Sequence, residues 1–260
     1  MERGKTFLRD YLRRAIRAGA YGTVAPLKLE SGLQLELHVD DLIDREILIN
    51  GIWQPALVRL IRNRLKPGGI FIDVGANIGY MSLLAAQAVG PTGHVLALEP
   101  NPDTFRRLQR NIALSKAAQV RCIQVAAGAG KGTATLFDES RGNSGGASIR
   151  PSKATEGIEV EVVALDDCYA DLGWPLPDLI KIDVEGAEYA ALQGMRQMLS
   201  RPNGPNVICE ISEWSLLQQV MRFMEECGYV WEALAKPEIS ALSGASRMVQ
   251  FDAYFSKAHR

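Results

Sequence analysis

The chain of 260 residues has only three histidines and four cysteines. Cys122, Cys168, Cys209 and Cys227 stand far apart with no CxxC pair. That spacing gives neither a zinc ribbon nor a disulfide framework, and several of the four fall in apolar patterns that read as buried thiols. No apolar run is long enough to cross a bilayer, and the N-terminus lacks the apolar stretch of a secretory signal, so the expectation is a cytoplasmic protein. Lysine plus arginine number 29 against 30 aspartates and glutamates, a formal net charge of −1. With so little net charge, no global field draws the chain to nucleic acid. Internal repeats and interdomain linkers are absent as well. What remains is a length suited to one α/β domain with additions, large enough for a substantial core.

The pattern along the chain fills in that class. Residues 3–18 carry six basic residues, with Phe7, Leu8, Tyr11, Leu12, Ala15 and Ile16 at helical spacing. This is a basic amphipathic helix that docks on the domain or, on a sharper reading, meets an anionic membrane or covers the substrate. Residues 33–39 alternate as a half-exposed strand, with His38 on its polar positions, and Asp40, Asp41 and Asp44 follow where a helix cap would explain at least one acid. Residues 54–66 form an amphipathic helix stopped by Pro67-Gly68-Gly69. From residue 70 the chain alternates strand and helix. Phe71–Val74 is a strand, Gly75–Gly79 a turn of small residues, and Tyr80–Ala86 a helix start. His94–Glu99 is the next strand, Asn101-Pro102 caps the next helix, and Val120–Ala127 is a third strand closed by Gly128. Thr133–Phe137 and Ile158–Val163 read as antiparallel strands flanking a long Gly/Ser-rich loop, which is either functional or a hairpin tip. A strand ending Asp183-Val184-Glu185-Gly186, a helix over 188–199, a strand over 206–211 and a helix closed by Gly228 come next, with strands at 229–234 and 248–255.

A parallel sheet binds ligands at the carboxyl ends of its strands. Asp73, Glu99, Asp183, Glu185 and Glu210 collect there. Five acids on one rim repel each other unless a cationic centre sits among them, such as a positively charged nucleoside or a divalent metal held by oxygens. Glu99, ending the second strand of the βαβ unit, suits ribose hydroxyls. The turn Gly75-Ala76-Asn77-Ile78-Gly79 is not G-x-G-x-x-G, which weakens a nicotinamide-dependent oxidoreductase, and no redox Tyr or His is evident. A non-catalytic nucleotide-binding protein is the remaining alternative, and the intact row of acids argues against it. An Asn-Pro-Pro-Tyr run to hold a flipped base is absent. No histidine lies in these motifs, so the candidate bases are Asp183, Glu185 and Glu210, their pKa raised by crowding.

Asp73–Gly79, then Glu99-Pro100-Asn101-Pro102, then Ile182–Glu188 resemble, in order, the motifs of the FkbM family of S-adenosylmethionine-dependent class I methyltransferases. The resemblance runs from about Gly51–Pro55 to about Glu210. It implies a Rossmann-like α/β fold: a mostly parallel seven-stranded sheet with helices on both faces, an N-terminal helical/strand extension and a β-hairpin insertion. Residues 1–50 would be the extension and 51–260 the catalytic domain. Asp73 and the loop residues Gly75, Ala76, Asn77 and Gly79 would hold the methionine amino and carboxylate end. Glu99 would take the ribose hydroxyls, with Pro100 and Asn101 beside it, and Ala126-Ala127 would flank the adenine. Asp183 and Glu185 would face methyl donor and acceptor, and Asn143, Ser144 and Ser148 would lie near the substrate. Many relatives carry an acid where this chain has Gln54, which is given no charged role. Methyl transfer to a hydroxyl of a sugar, glycan, glycolipid or polyketide-like molecule is the implied reaction. Bound Mg²⁺, with Asp183 and Glu210 as ligands, is a second way to acidify that hydroxyl. Nucleic acid is not expected as a partner; peripheral membrane contact through residues 3–18 and a homo-oligomer are left open.

Overall fold

A computed structural model describes residues 23–29, 31–138, 147–148, 157–234, 238–241 and 247–258. The basic helix expected at 3–18 lies outside these residues. The described chain opens with an antiparallel pair, β1 (Thr23–Lys28) and β2 (Gln34–His38). Helix α1 (Leu42–Asn50) begins where the Asp41 carboxylate accepts the Asp44 N–H at 3.0 Å, which makes Asp41 the capping acid. Gly51 ends it in the left-handed region. Helix α2 (Pro55–Arg64) has its proline at the first turn, where no N–H partner is lost.

The α/β body continues as β3 (Ile70–Val74), α3 (Tyr80–Val89), β4 (His94–Leu98), α4 (Pro102–Leu114) and β5 (Val120–Ile123). Asn101 caps α4 by accepting the Asp103 and Thr104 N–H groups. The insertion comprises β6 (Ala126–Ala127), β7 (Gly132–Asp138), β8 (Ala147–Ser148) and β9 (Gly157–Val163). The body resumes as α5 (Leu165–Ala170), β10 (Leu179–Ile182), α6 (Glu188–Gln193), α7 (Arg196–Leu199), β11 (Asn206–Glu213), α8 (Trp214–Glu226), β12 (Tyr229–Ala233), β13 (Glu238–Ala241) and β14 (Arg247–Lys257).

The strands of the main sheet run in the order β12-β14-β11-β10-β3-β4-β5, with β13 added beside β14. The pairs β11–β10, β10–β3, β3–β4 and β4–β5 are parallel, and β14 is antiparallel to both neighbours. Helices cover both faces. On one, Ile72, Val74, Ile180 and Ile182 pack with Leu192 of α6 and Val220 and Phe223 of α8. On the other, Phe71, Leu179 and Ile208 pack with Leu57 of α2 and Leu83 of α3. Alternation along β3 therefore turns Asp73 toward the α3 side, where Ser82 waits. Each fully buried leucine or isoleucine here contributes about 1.5–3 kcal/mol by leaving water. Because β4 and β5 lie on one side of β3 and β10 on the other, the strand order reverses between β3 and β10, and a crevice opens above that switch point.

Three expectations change. The third strand is shorter: β5 stops at Ile123, and Ala126-Ala127 leaves the main sheet to pair in parallel with Val162-Val163 of β9. The helix over 188–199 breaks at Gly194, where a Cβ would sit 1.9 Å from the Gly128 carbonyl oxygen, so the backbone there packs against the β6 turn at a distance only glycine allows. The sheet also gains β13. The described part of residues 1–50 shares one core with the α/β body, because Leu35, Leu37 and Ile47 are buried in the cluster that holds Leu57, Phe71 and Leu83. Polar clamps hold it in place. The Glu36 N–H donates to Asn111 Oδ1 at 2.8 Å while Asn111 Nδ2 donates to the Ile78 carbonyl at 3.0 Å, and Arg107 pairs with buried Asp44. No described helix is long and apolar enough to cross a membrane.

Candidate active site

A cavity lies over the switch point. Its walls include Gly75, Ala76 and Asn77 after β3, Glu99 and Pro100 after β4, Val125–Ala127 after β5, Asp183–Glu185 after β10, and Glu210 of β11. The extension and its junction close another side with Leu42, Ile43, Trp53 and Gln54.

The floor is set by a close backbone approach. Gly75 holds φ of +79°, and a Cβ there would fall 1.8 Å from the Asp183 carbonyl oxygen. Its N–H and that of Ala76 both donate to the Leu98 carbonyl, at 3.0 and 2.8 Å. The Asn77 N–H goes to Glu99 Oε2 at 2.9 Å and the Gly79 N–H to the Ala76 carbonyl at 2.9 Å. Most of the loop's own donors are therefore spent on holding its shape. The groups geometry leaves for an anion are the first-turn N–H groups of α3, which have no intrahelical acceptor.

Glu99 is 7% exposed. Its oxygens accept the Asn77 and Asn101 N–H groups, both at 2.9 Å. Burial lifts its pKa to about 7 against the pull of those two donors. Each oxygen keeps a second lone pair, which suits a ligand's hydroxyls.

Asp73 is absent from the cavity wall. It is fully buried beneath, where Oδ2 accepts from Ser82 Oγ at 2.6 Å and Oδ1 lies 3.6 Å from Lys181 Nζ. Burial raises its pKa in spite of Lys181 and Ser82. Gly79 and Asn101 also stand off the wall, as loop closure and helix cap. Lys181 does reach the wall, and its Nζ lies 3.1 Å from Asp183 Oδ2. Burial works against its charge, but Asp183 and Asp73 outweigh that and hold the ammonium above the ordinary lysine value. Sequence reading passed over this residue. The signal was there in Ile180-Lys181-Ile182, a lysine inside a buried strand, which needs acidic partners to be tolerated.

The acids after β10 gather with the one on β11. Asp183, Glu185 and Glu210 each offer a carboxylate oxygen, all within 4.8 Å of one another. Burial raises Asp183, yet Lys181 and a hydrogen bond with Glu210 overcome it, so its pKa falls below the ordinary carboxylate value. Glu185 moves the other way, to about 7, through burial first and then the charges of Asp183 and Glu188. Its backbone sits at φ +50°. Glu188, fully buried, fixes that turn by accepting the Gly186 N–H at 2.9 Å and the Val184 N–H at 3.4 Å. Across the sheet Glu210 stands opposite Asp252, whose pKa burial raises to about 6.

Of the residues singled out from sequence, the cavity thus brings together Gly75, Ala76, Asn77, Glu99, Pro100, Ala126, Ala127, Asp183, Glu185 and Glu210. Asn143 and Ser144 lie outside the described residues, and Ser148 enters as backbone of β8 opposite Phe137.

A family profile described as the methyltransferase FkbM domain matches residues 73–231. Hexuronic acid methyltransferase AglP of Haloferax volcanii is 29% identical over 148 residues, 56% of this chain and 58% of that protein. The 31-O-demethyl-FK506 methyltransferase FkbM of Streptomyces tacrolimicus is 29% identical over 188 residues, 60% of this chain and 65% of that protein. The chain thus spans about three fifths of the length of each of these relatives. Among solved structures, a precorrin-6y C5,15-methyltransferase from Geobacter metallireducens superposes with a TM-score of 0.50, covering 80% of this chain and 90% of that one at 17% identity, a likeness of fold.

Proposed function

The chain belongs to the FkbM methyltransferase family, and from that premise we propose that it is an S-adenosylmethionine-dependent O-methyltransferase acting on a hydroxyl of a sugar or polyketide-like small molecule. The observation that carries the proposal is a single cavity with Glu99 and the Gly75–Asn77 loop on its wall together with Asp183, Glu185 and Glu210. Such a cavity suits a nucleoside whose reactive centre is cationic. The substrates in the names of the two relatives, a hexuronic acid and 31-O-demethyl-FK506, motivate the acceptor class.

When bound, the cofactor supplies an electrophilic methyl group on a sulfonium. Glu99 would accept hydrogen bonds from its ribose hydroxyls, and Ala126, Ala127 and Leu136 would border the adenine. The start of α3 would hold the carboxylate of the amino-acid end, with Asp73 acting from below through Lys181. Glu185 would take the proton of the acceptor's hydroxyl. A base with pKa near the working pH combines availability with driving force, and among these acids Glu185 has that value while Asp183 is held low. Proximity and orientation in the cavity contribute most of the remaining acceleration.

Oxygen donors at the Asp183–Glu185–Glu210 cluster match the chemistry of Mg²⁺. Asp183, however, already pairs with the Lys181 ammonium and shares a hydrogen bond with Glu210. Turnover is therefore expected to continue in excess EDTA; activity lost to EDTA and restored by Mg²⁺ would put a metal on these acids.

Calorimetric titration with S-adenosylmethionine, S-adenosylhomocysteine and NAD tests the cofactor. Binding of the two sulfur nucleosides and not of NAD is expected, and the reverse would sink the proposal. Glu99→Ala should weaken S-adenosylhomocysteine about 10- to 100-fold, the worth of hydrogen bonds to a charged group; unchanged affinity would remove Glu99 from the ribose.

A further inference from the structure

Among the described residues, four non-glycine positions hold positive φ: Gln54 at 46°, Asn77 at 50°, Lys116 at 53° and Glu185 at 50°. Lys116 lies just beyond α4. The other three line the same cavity. Backbone strain of this kind persists where the surroundings over-determine it, and it concentrates at ligand clamps. For Asn77 and Glu185 the determinants are visible: the Asn77 N–H is held by Glu99, and the turn at Glu185 is held by Glu188. Asparagine also tolerates the left-handed region better than most residues.

Gln54 has less excuse. It precedes Pro55, a position biased toward extended backbone, yet it sits at φ 46° and ψ 67°. It occupies the cap position of α2, yet its side chain makes no capping bond. Instead its Oε1 is buried with no hydrogen-bond partner, and so is Asn77 Oδ1. The two orphan amide oxygens belong to side chains that line one cavity. Each is an acceptor withdrawn from water without a donor in return, an arrangement that buried polar groups avoid. The Trp53 N–H lies 3.4 Å from the Tyr80 hydroxyl oxygen. That contact ties the Gln54 segment to the first residue of α3, beside the Gly75–Gly79 loop.

We infer that Gln54 and Asn77 together form the seat for the ammonium of the cofactor's amino-acid end. The inference rests on the S-adenosylmethionine reading and deepens it. An ammonium carries three donors and no acceptor, the complement of two unpaired carbonyl oxygens. In the orientation these two amides hold, a carboxylate would set acceptor against acceptor; the N-terminus of α3 serves it. The segment joining the extension to the body is thus a ligand contact as well as a connection.

The test compares S-adenosylhomocysteine with 5′-methylthioadenosine, which keeps the nucleoside and lacks the amino-acid end. Gln54→Leu is expected to weaken S-adenosylhomocysteine about 10-fold or more and leave 5′-methylthioadenosine unchanged. Its ligand-free melting temperature should not fall, since the substitution removes a buried orphan. Gln54→Glu, which offers only acceptors, should bind S-adenosylhomocysteine at least as well as wild type. Equal weakening of both ligands by Gln54→Leu, with a lower melting temperature, would make Gln54 structural and overturn the inference. So would unchanged binding of both. Gln54→Glu weakening S-adenosylhomocysteine as much as Gln54→Leu would show that the amide donates instead of accepting. Wild-type protein that binds neither nucleoside would overturn the cofactor reading itself, a result distinct from all of these.

Discussion

Glu185→Gln should lower kcat by about 10²–10⁴-fold, the range for removal of a general base, while S-adenosylhomocysteine affinity stays near wild type. The substitution keeps size and hydrogen-bonding shape, and the clamp by Glu188 on the Gly186 N–H is untouched, so a folding defect is not the expected cause. The pH profile gives an independent signature. A base acts in its deprotonated form, so kcat falls about tenfold per unit as pH drops below its pKa. Burial and the neighbouring acids set Glu185 at about 7 in the free protein. A bound sulfonium favours the ionised carboxylate and draws that value down, so the acidic limb lies at or below about 7. In Glu185→Gln the limb should vanish from whatever rate remains. Wild-type turnover in Glu185→Gln, with turnover lost in Asp183→Asn or Glu210→Gln instead, would move the base to one of those residues.

Lys181→Met should destabilise the protein by about 3–5 kcal/mol, the cost of stripping one partner from a buried ion pair. Asp73 is fully buried and Lys181 nearly so, with 3.6 Å between them, and Lys181 also lies 3.1 Å from Asp183. Methionine fills much the same volume, so the loss is electrostatic: Asp73 keeps only Ser82, and Asp183 keeps Glu210. In a chain of this size the melting temperature should fall on the order of 10 °C. The double variant Asp73→Asn/Lys181→Met removes both charges and should recover a good part of that loss, because uncharged replacements relieve the desolvation the single variant leaves behind. A melting temperature unchanged in Lys181→Met, or a double variant no better than the single, would show that the lysine does not serve as a buried counter-charge.

These two residues also show what a sequence discloses and what it hides. The turn after β3, the acid ending β4 and the acids after β10 were legible because each is a local signal: small residues where backbones approach, a carboxylate where a strand ends. Their meeting in one cavity followed from the alternation of strand and helix. Lys181 was hidden because its meaning depends on Asp73, more than a hundred residues earlier, on a neighbouring strand. The same holds for Ala126-Ala127. They continue an apolar run and look like one strand with Val120–Ile123, and only pairing with β9 shows that the backbone has changed sheets. Asp73 was misleading in the other direction. An acid beside a glycine turn suggests a ligand contact, but alternation along β3 points it down toward Ser82. Gln54 stands where many relatives carry an acid and offers no charge to read, whereas its conformation and its unpaired oxygen are properties of the fold that no residue type announces.

The shared core of the N-terminal segment has a consequence in time. Residues 34–48 emerge from the ribosome ahead of the helices they pack on. Leu35, Leu37 and Ile47 then wait for Leu57, Phe71 and Leu83, and the clamps at Glu36 and Gln34 wait longer still, for Asn111 and Ser115. Over that interval the nascent chain carries an apolar face without a place to bury it. The cavity wall made by Leu42 and Ile43 therefore settles only after residues 111–115 have emerged.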